Sequence, residues 1–170
     1  PLGFIDHHFQ LGNGLLGVMD PKMILDGLPD SAYTELTGDS VDLCRDLKRR
    51  NRIERTGLQR MRIAADFSQS LQSMDLTATA LPLQQLDELP DDTLTGIAAK
   101  RKAYELLQAG VGTEGLSLAL NLYCAAYLLP KHGTATDTDV PTTQDVMNAL
   151  LGQNVEERKK TAAINLAKKI

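Results

Sequence analysis

The sequence predicts an all-α protein in which two small packed helical bundles are joined by a connecting helix and linker. Apolar residues recur at helical spacing, and the alternating runs of β-branched residues that mark strands are missing. Glycine, proline, threonine and aspartate punctuate the segments, as they do between helices. With 42% apolar and 24% charged residues in a chain of 170, the composition is that of a globular protein with a buried core.

The predicted N-terminal bundle covers residues 1–76 and includes the connecting helix. It begins with a helix from Phe4 to Leu11 and a short one from Leu15 to Met19. Pro21 suits the first turn of a third helix, which should end near Gly27. These segments predict short helices ahead of the first long one.

The first long helix is predicted to begin after Asp39 or Ser40, since either side chain can cap it. Its inward-facing residues are expected to be Val41, Cys44 and Leu47. Gly57 is expected to interrupt this helix, because glycine disfavours a helix interior. A connecting helix then follows, whose apolar face consists of Ile63, Phe67, Leu71 and Met74.

The rest of the chain divides into a linker and a second bundle. Residues 77–92 contain Pro82 and Pro90 and predict a connector, and residues 93–170 predict the second helical subdomain. Its helices are expected at 93–110, 114–129, 144–151 and 154–170. The second of these is apolar nearly all round, which predicts the buried centre of the bundle.

Charge is segregated along the chain. The stretch "RDLKRRNRIERTGLQRMR", which begins at Arg45, holds eight of the 18 basic residues of a protein whose net charge is −4. Asp46 and Glu54 are its only acids, so acids at i+4 that would compensate the charge are expected to be lacking. The density predicts a surface for an anionic partner. Its residues are Lys48, Arg49, Arg50, Arg52, Arg55, Arg60 and Arg62, with a secondary basic patch of Lys100, Arg101 and Lys102.

An acidic span follows the basic stretch. Residues 64–99 contain no lysine or arginine and six acids. We expect the part of this span from Asp75 to Asp92 in one copy to face the basic stretch of a neighbouring copy. The acids predicted to make this self-association contact are Asp87, Glu88, Asp91 and Asp92.

The sequence predicts no catalytic residue, cofactor or metal site. The run "GNGLLG" at 12–17 satisfies G-x-G-x-x-G, but no convincing strand precedes it, so a turn between helices is favoured. The three histidines have no cysteine or carboxylate at a spacing that suits a metal, and the two cysteines match no disulfide framework. No apolar run approaches the roughly 20 residues that cross a bilayer, so any membrane contact is expected to be peripheral.

Two segments resemble a known family. Residues Glu54 to Arg62, "ERTGLQRMR", resemble the segment Ser-Glu-Arg-Gly-Leu-Gln-Arg-Arg-Arg of the influenza virus matrix protein, with one residue inserted before the glycine. Downstream, "GTEGLSLALNLYCAAYLLPKHGTATDTDV" resembles that family's run from Gly-Ala-Lys-Glu-Ile-Ser-Leu to Gly-Ala-Val-Thr-Thr-Glu-Val. The matched elements lie between Arg45 and Val140 in the family's order. The chain thus resembles a distant orthomyxovirus matrix protein, outside the influenza viruses proper.

The resemblance implies an all-α structural protein that forms a layer beneath the viral envelope. It implies three partners, which are anionic lipid of the inner leaflet, copies of the protein itself and the viral ribonucleoprotein. It places the protein in the virion and, in the host cell, in the cytoplasm, at the inner leaflet and in the nucleus. Two departures matter: the acidic net charge puts direct RNA binding in doubt, and the family's Cys/His cluster, hence zinc, has no counterpart here.

Two other functions remain open on the sequence. A helical nucleic-acid-binding module would use the same arginines on phosphates, although α-helices without interleaved aromatic residues lack stacking platforms. An adaptor would use the basic stretch to bind a partner helix or an acidic segment. A solvated helix face with a few exposed ion pairs is the structural alternative to all of these.

Overall fold

The computed structural model describes residues 17–18, 20–63, 85–90, 92–108, 114–134 and 136–169. Within these ranges the side chains of residues 21, 22, 62, 63, 107 and 108 are not described. The predicted helix from Phe4 to Leu11, the connecting segment after residue 63 and the first part of the predicted linker lie outside the described residues.

The chain is all-α, as predicted. Among the described residues, two 3₁₀ helices, Pro21–Asp26 and Asp30–Tyr33, precede helix α1. The α-helices are α1 (Val41–Ile63), α2 (Leu94–Gln108), α3 (Glu114–Leu128), α4 (Thr143–Leu150) and α5 (Glu157–Ala167). In the ranges that the structure describes, the only β pairing is an isolated bridge between Thr134 and Asp137.

Helix α1 begins where the sequence predicts and continues past the predicted break. The Ser40 Oγ accepts the Leu43 N–H at 3.3 Å, which confirms the cap. Gly57 does not interrupt the helix, which is continuous over 23 residues. Leu58 after it is 6% exposed, and this burial outweighs the roughly 1 kcal/mol that glycine costs in a helix. Val41, expected to face inward, is 52% exposed.

The chain divides into two compact units. Among the described residues, the larger unit draws on those up to residue 63 and those from residue 115 onward, and the smaller unit on 85–90, 92–108 and Glu114. The predicted division into 1–76 and 93–170 differs from this, because α1 packs against α4 from the far end of the chain. Residues 85–88, within the predicted linker, are helical and place Leu86 in a small core with Tyr104.

The core of the larger unit draws on all parts of its sequence. Leu28, Leu47, Leu122, Val140 and Val146 are completely buried. Helix α3 buries one side, which carries Ala119, Leu122, Tyr123, Ala125 and Ala126. It was expected to be buried all round, but Leu128 is 38% exposed.

A buried polar network holds α1 against the N-terminus of α4. Asn51 in α1 is fully buried, and its Oδ1 accepts the Thr143 N–H at 2.9 Å and the Thr143 hydroxyl at 2.7 Å. Its Nδ2 donates to the Leu28 carbonyl at 2.6 Å. The Tyr33 hydroxyl donates to the Pro141 carbonyl at 2.9 Å and lies 3.3 Å from the same Asn51 oxygen. The amide therefore joins three separate segments at one point.

Gly27 lies against this network because no side chain fits there. Its φ is +74°, a conformation that glycine adopts without strain. A Cβ atom built on it would lie 2.8 Å from the Thr143 Cγ2. The next residue, Leu28, donates its N–H to the Thr143 Oγ1 at 2.9 Å. The predicted helix end near Gly27 is confirmed, since the 3₁₀ helix ends at Asp26.

Two buried lysines are each paired with a carboxylate. Lys131 is 1% exposed, and its Nζ lies 3.7 Å from the Asp39 Oδ2. Lys159 in α5 is 4% exposed, and its Nζ donates to the Asp145 Oδ2 at 2.8 Å. The same Asp145 oxygen accepts the Thr142 N–H at 2.8 Å, which caps α4. The Asp39–Lys131 pair holds the loop before α1 against the core, and the Asp145–Lys159 pair holds α5 against it.

Candidate anion-binding surface

The outward side of α1 carries a row of cations. Arg45, Lys48, Arg49 and Arg52 follow the i, i+3, i+4, i+7 spacing that places residues on one helix face. Arg60 lies about two turns further along the same side. From Arg45 to Arg60 the row spans about 22 Å along the helix axis. The helix thus aligns charges that the sequence only shows as a cluster.

Most of these side chains reach solvent. The Arg45 and Arg49 side chains are 72% and 79% exposed, and the Arg52 side chain is 65% exposed. Arg60 is exposed and Lys48 is half-buried. A long basic side chain can lay its methylene stem on the protein and keep its charge in water, as the position of Lys48 allows.

Acids on the same helix compensate part of the charge, contrary to the expectation from the sequence. Arg45 pairs with Asp42 at 3.1 Å and Arg49 with Asp46 at 3.5 Å, both at i, i+3 spacing. Both pairs are largely exposed, and exposed pairs contribute about 0–1 kcal/mol each. An incoming anion can therefore replace the acid at little cost.

Arg50, whose side chain is 44% exposed, pairs with an acid of its own helix. Its Nε donates to the Glu54 Oε1 at 2.9 Å. The other oxygen of Glu54 accepts the Gln144 N–H at 2.9 Å, in the first turn of α4. Arg50 therefore orients a carboxylate that satisfies the N-terminus of α4, and we assign it a structural role.

Arg52 and Arg55 hold the second 3₁₀ helix through Asp30. The Arg52 Nε donates to the Asp30 Oδ2 at 2.6 Å, and the Arg55 Nη1 lies 3.8 Å from the Asp30 Oδ1. Arg55 also donates to the Leu28 carbonyl at 3.3 Å. The hydrogen bond from Arg52 lowers the pKa of Asp30 despite partial burial, and it raises the pKa of Arg52.

The predicted anion-binding residues therefore fall into two groups. Lys48, Arg49 and Arg60 project from the outward side, together with Arg45, which is not among the predicted anion-binding residues. Arg50, Arg52 and Arg55 make contacts within the protein. The side chain of Arg62 lies outside the described residues. No sequence signal could have revealed the role of Asp30, because it lies 22 residues from Arg52.

The secondary basic patch is smaller than predicted. Lys100 is 5% exposed, so it does not contribute to an exposed patch. Its neighbours Arg101 and Lys102 are exposed, because successive residues of a helix point in different directions. All three lie on α2 in the smaller unit.

The predicted self-association acids also lie on the smaller unit. Asp87, Glu88 and Asp92 are exposed, and Asp91 lies outside the described residues. The structure therefore places three of these acids where another molecule could reach them.

The described residues provide neither a metal site nor a membrane-spanning helix. There, no three His, Cys, Asp or Glu side chains come together in a way that could hold a metal ion. The same residues include no helix with the length and apolar character needed to cross a bilayer. Cys44 and Cys124 are free, and burial raises the pKa of both thiols, which keeps them protonated at neutral pH.

Comparisons with known proteins leave the family unassigned. The chain matches no protein-family model, no curated protein and no solved structure. The resemblance to orthomyxovirus matrix proteins, carried by short motifs between Arg45 and Val140, stays a prediction.

Proposed function

We propose that this chain is a peripheral structural protein of the matrix type, which binds anionic lipid through the outward face of α1 and associates with copies of itself. The observation that carries the proposal is the row of cations formed by Arg45, Lys48, Arg49 and Arg60. The resemblance supplies the remainder: a place beneath the envelope of a virion and contact with a ribonucleoprotein.

Simple electrostatics supports reversible recruitment by this row. A lysine or arginine near an anionic leaflet gains about 1 kcal/mol, so four such side chains contribute about 4 kcal/mol. That corresponds to weak binding by one copy, which an array of associated copies would strengthen through avidity. The Debye length is about 10 Å at 0.1 M salt, so this attraction must weaken as salt is added.

Two features favour a lipid surface over nucleic acid as the anion. Helix α1 contains no Phe, Tyr or Trp, so it offers no aromatic side chain on which bases could stack. The net charge of −4 also opposes a long polyanion, which would approach the acidic parts of the protein as well. A straight row on one helix face instead suits a flat layer of phosphate groups.

Co-sedimentation with vesicles tests the proposal. The parent should bind phosphatidylserine-containing vesicles, bind neutral phosphatidylcholine vesicles much less, and lose binding as salt rises. An Arg49→Glu/Arg60→Glu variant should bind the anionic vesicles about thirty-fold more weakly or worse, since at least about 2 kcal/mol is removed. Neither residue belongs to the internal contacts of Arg50, Arg52 and Arg55, so the variant should fold.

A matched control separates the surface from the total charge. Lys168→Glu/Lys169→Glu makes the same change in net charge at two exposed residues after α5, and it should bind like the parent. Equal losses in both variants would contradict a binding surface on α1. Indifference of the parent to lipid charge would contradict the lipid role, and salt-dependent binding to RNA instead would favour the nucleic-acid function.

A further inference from the structure

A groove lies between the C-terminal half of α1 and the length of α4. Its volume is about 280 Å³, and it lies wholly within the larger unit. Its apolar lining consists of Gly57, Leu58, Met61, Met147 and Leu151. Its polar lining consists of Glu54, Thr143, Gln144 and Gln153.

One edge of this groove exposes large apolar side chains. Ile53 and Met61 on α1 are 70% and 59% exposed, and Leu151 after α4 is 36% exposed. Ile53, Gly57 and Met61 are spaced at i, i+4, i+8, so they form one stripe along the helix. Exposed apolar side chains that are contiguous with a groove are typical of a docking surface.

Gly57 in the middle of the stripe has no role within the described fold. A Cβ atom on it would meet nothing within 4 Å, and its φ does not require glycine. Glycine in a helix interior costs about 1 kcal/mol relative to alanine. A close approach of another chain to the helix backbone would account for it, because glycine permits such an approach.

The charge around the groove is cationic on one side. Arg60 is exposed next to Met61, and Arg49 lies one turn before Ile53 on the neighbouring face. The acid in the lining, Glu54, is already paired with Arg50 and with the Gln144 N–H. The walls therefore suit an occupant that has both apolar and acidic side chains.

The chain itself contains a segment of that kind, on the smaller unit. Leu94 is 86% exposed and Leu89 is 36% exposed. Glu88 and Asp92, beside them in sequence, are exposed acids. We propose that residues 87–94 of a second copy dock into the α1–α4 groove, with the leucines against Gly57 and Met61 and the acids toward Arg60 and Arg49. This proposal rests on the self-association in the proposed function and names the two surfaces that meet.

Such a contact joins two different surfaces, so it is heterologous. Heterologous contacts propagate, and they close into rings or continue as open chains. An open assembly keeps one unused groove at one end and one unused segment at the other until it closes. This geometry suits a protein that forms a layer, and it predicts a distinctive result when variants are mixed.

Sedimentation velocity without lipid, across a concentration series, measures the contact. Gly57→Gln fills the groove, and it should be well tolerated because the space is free and glutamine favours a helix more than glycine. Leu94→Gln removes the most exposed apolar side chain of the segment. Each variant should raise the apparent dissociation constant for self-association at least tenfold. Thr161→Gln, at an exposed position of α5 that does not line the groove, is the matched control and should associate like the parent.

Mixing the two variants tests the heterologous geometry. The Gly57→Gln chain keeps an intact segment and the Leu94→Gln chain keeps an intact groove, so an equimolar mixture should form dimers and stop there. A parent that stays monomeric overturns both this inference and the self-association. A parent that associates while Gly57→Gln associates equally, or a mixture that recovers no dimers, overturns the groove alone. The sedimentation experiment contains no lipid, so its result does not depend on whether the protein binds vesicles.

Discussion

Replacement of Asp39 by alanine should lower the free energy of unfolding at pH 7 by about 3–5 kcal/mol, the range for breaking a buried ion pair from one side. The Asp39 side chain is 6% exposed and its partner Lys131 is 1% exposed, so the substitution leaves a buried ammonium group without its carboxylate. It also removes the acceptors of two backbone N–H groups. Asp39 Oδ1 accepts from Lys131 at 2.9 Å and Oδ2 accepts from Leu36 at 3.0 Å.

Urea denaturation of the parent and the variant measures this effect. A second variant, Asp39→Ala/Lys131→Met, tests the cause, because it removes the stranded charge and keeps an apolar side chain of similar length. It should be more stable than Asp39→Ala alone, although the two backbone N–H groups still lack their acceptor. A loss below about 1 kcal/mol in the single variant would contradict a buried pair at this position.

The same pair predicts how stability depends on pH. The N–H groups of Lys131 and Leu36 and the charge of Lys131 lower the pKa of Asp39 against the opposing effect of burial. The folded pKa is then below the unfolded value of about 3.9. The stability that this shift contributes is fully present above that unfolded value and is lost as pH falls through the folded pKa. The parent should lose stability steeply below about pH 4, and Asp39→Ala should lose less over the same range.

The sequence predicts the helices well where their signals are local. Helix α3 was expected at 114–129 and covers Glu114–Leu128, and α4 was expected at 144–151 and covers Thr143–Leu150. The Ser40 cap lies next to the helix that it begins, so residue types alone reveal it. Gly57 shows the limit of such rules. The low helix propensity of glycine is a property of that residue alone, and the burial of Leu58, the next residue, outweighs its cost in free energy.

The candidate surface could be predicted only in outline. The density of arginines is visible in the sequence, but which of them make contacts within the fold depends in part on distant segments. Asp30 pairs with Arg52 and Arg55 across the loop before α1. Glu54, four residues after Arg50, pairs with it and also accepts the Gln144 N–H of α4, about 90 residues away in sequence. The contacts of Asp30 and Gln144 became visible only in the fold, and they separate the outward arginines from the others.

The division into units was missed for a related reason. The prediction assumed that neighbours in sequence pack together, as they do in a chain of small bundles. The larger unit instead joins the described residues up to 63 with those from 115 onward. The link is a polar network centred on Asn51, and a lone asparagine within a basic helix gives no sign of a partner 92 residues away. Removal of this network should therefore show how much it stabilises the junction of the two chain segments.

Replacement of Asn51 by alanine should lower the free energy of unfolding by about 3–4 kcal/mol. Alanine favours a helix more than asparagine does, so the loss cannot come from α1 itself. It comes from buried polar groups that each lose a hydrogen-bond partner. The Thr143 N–H and hydroxyl lose their acceptor, and the Leu28 carbonyl loses its 2.6 Å donor. Each unsatisfied buried group costs about 1–3 kcal/mol, partly relieved where water enters.

A double-mutant cycle in urea denaturation shows whether these groups act together. Thr143→Val removes the hydroxyl that lies between the Asn51 Oδ1 and the Leu28 N–H and keeps the volume of the side chain. The Asn51→Ala/Thr143→Val double variant should lose less stability than the two single variants added together, by about 1 kcal/mol or more, because the second change breaks bonds already lost. Gln59→Ala, at an exposed position of α1, is the control and should stay within about 0.5 kcal/mol of the parent. Strictly additive losses would mean that Asn51 and Thr143 stabilise the fold independently, and that the junction of the two chain segments is held elsewhere.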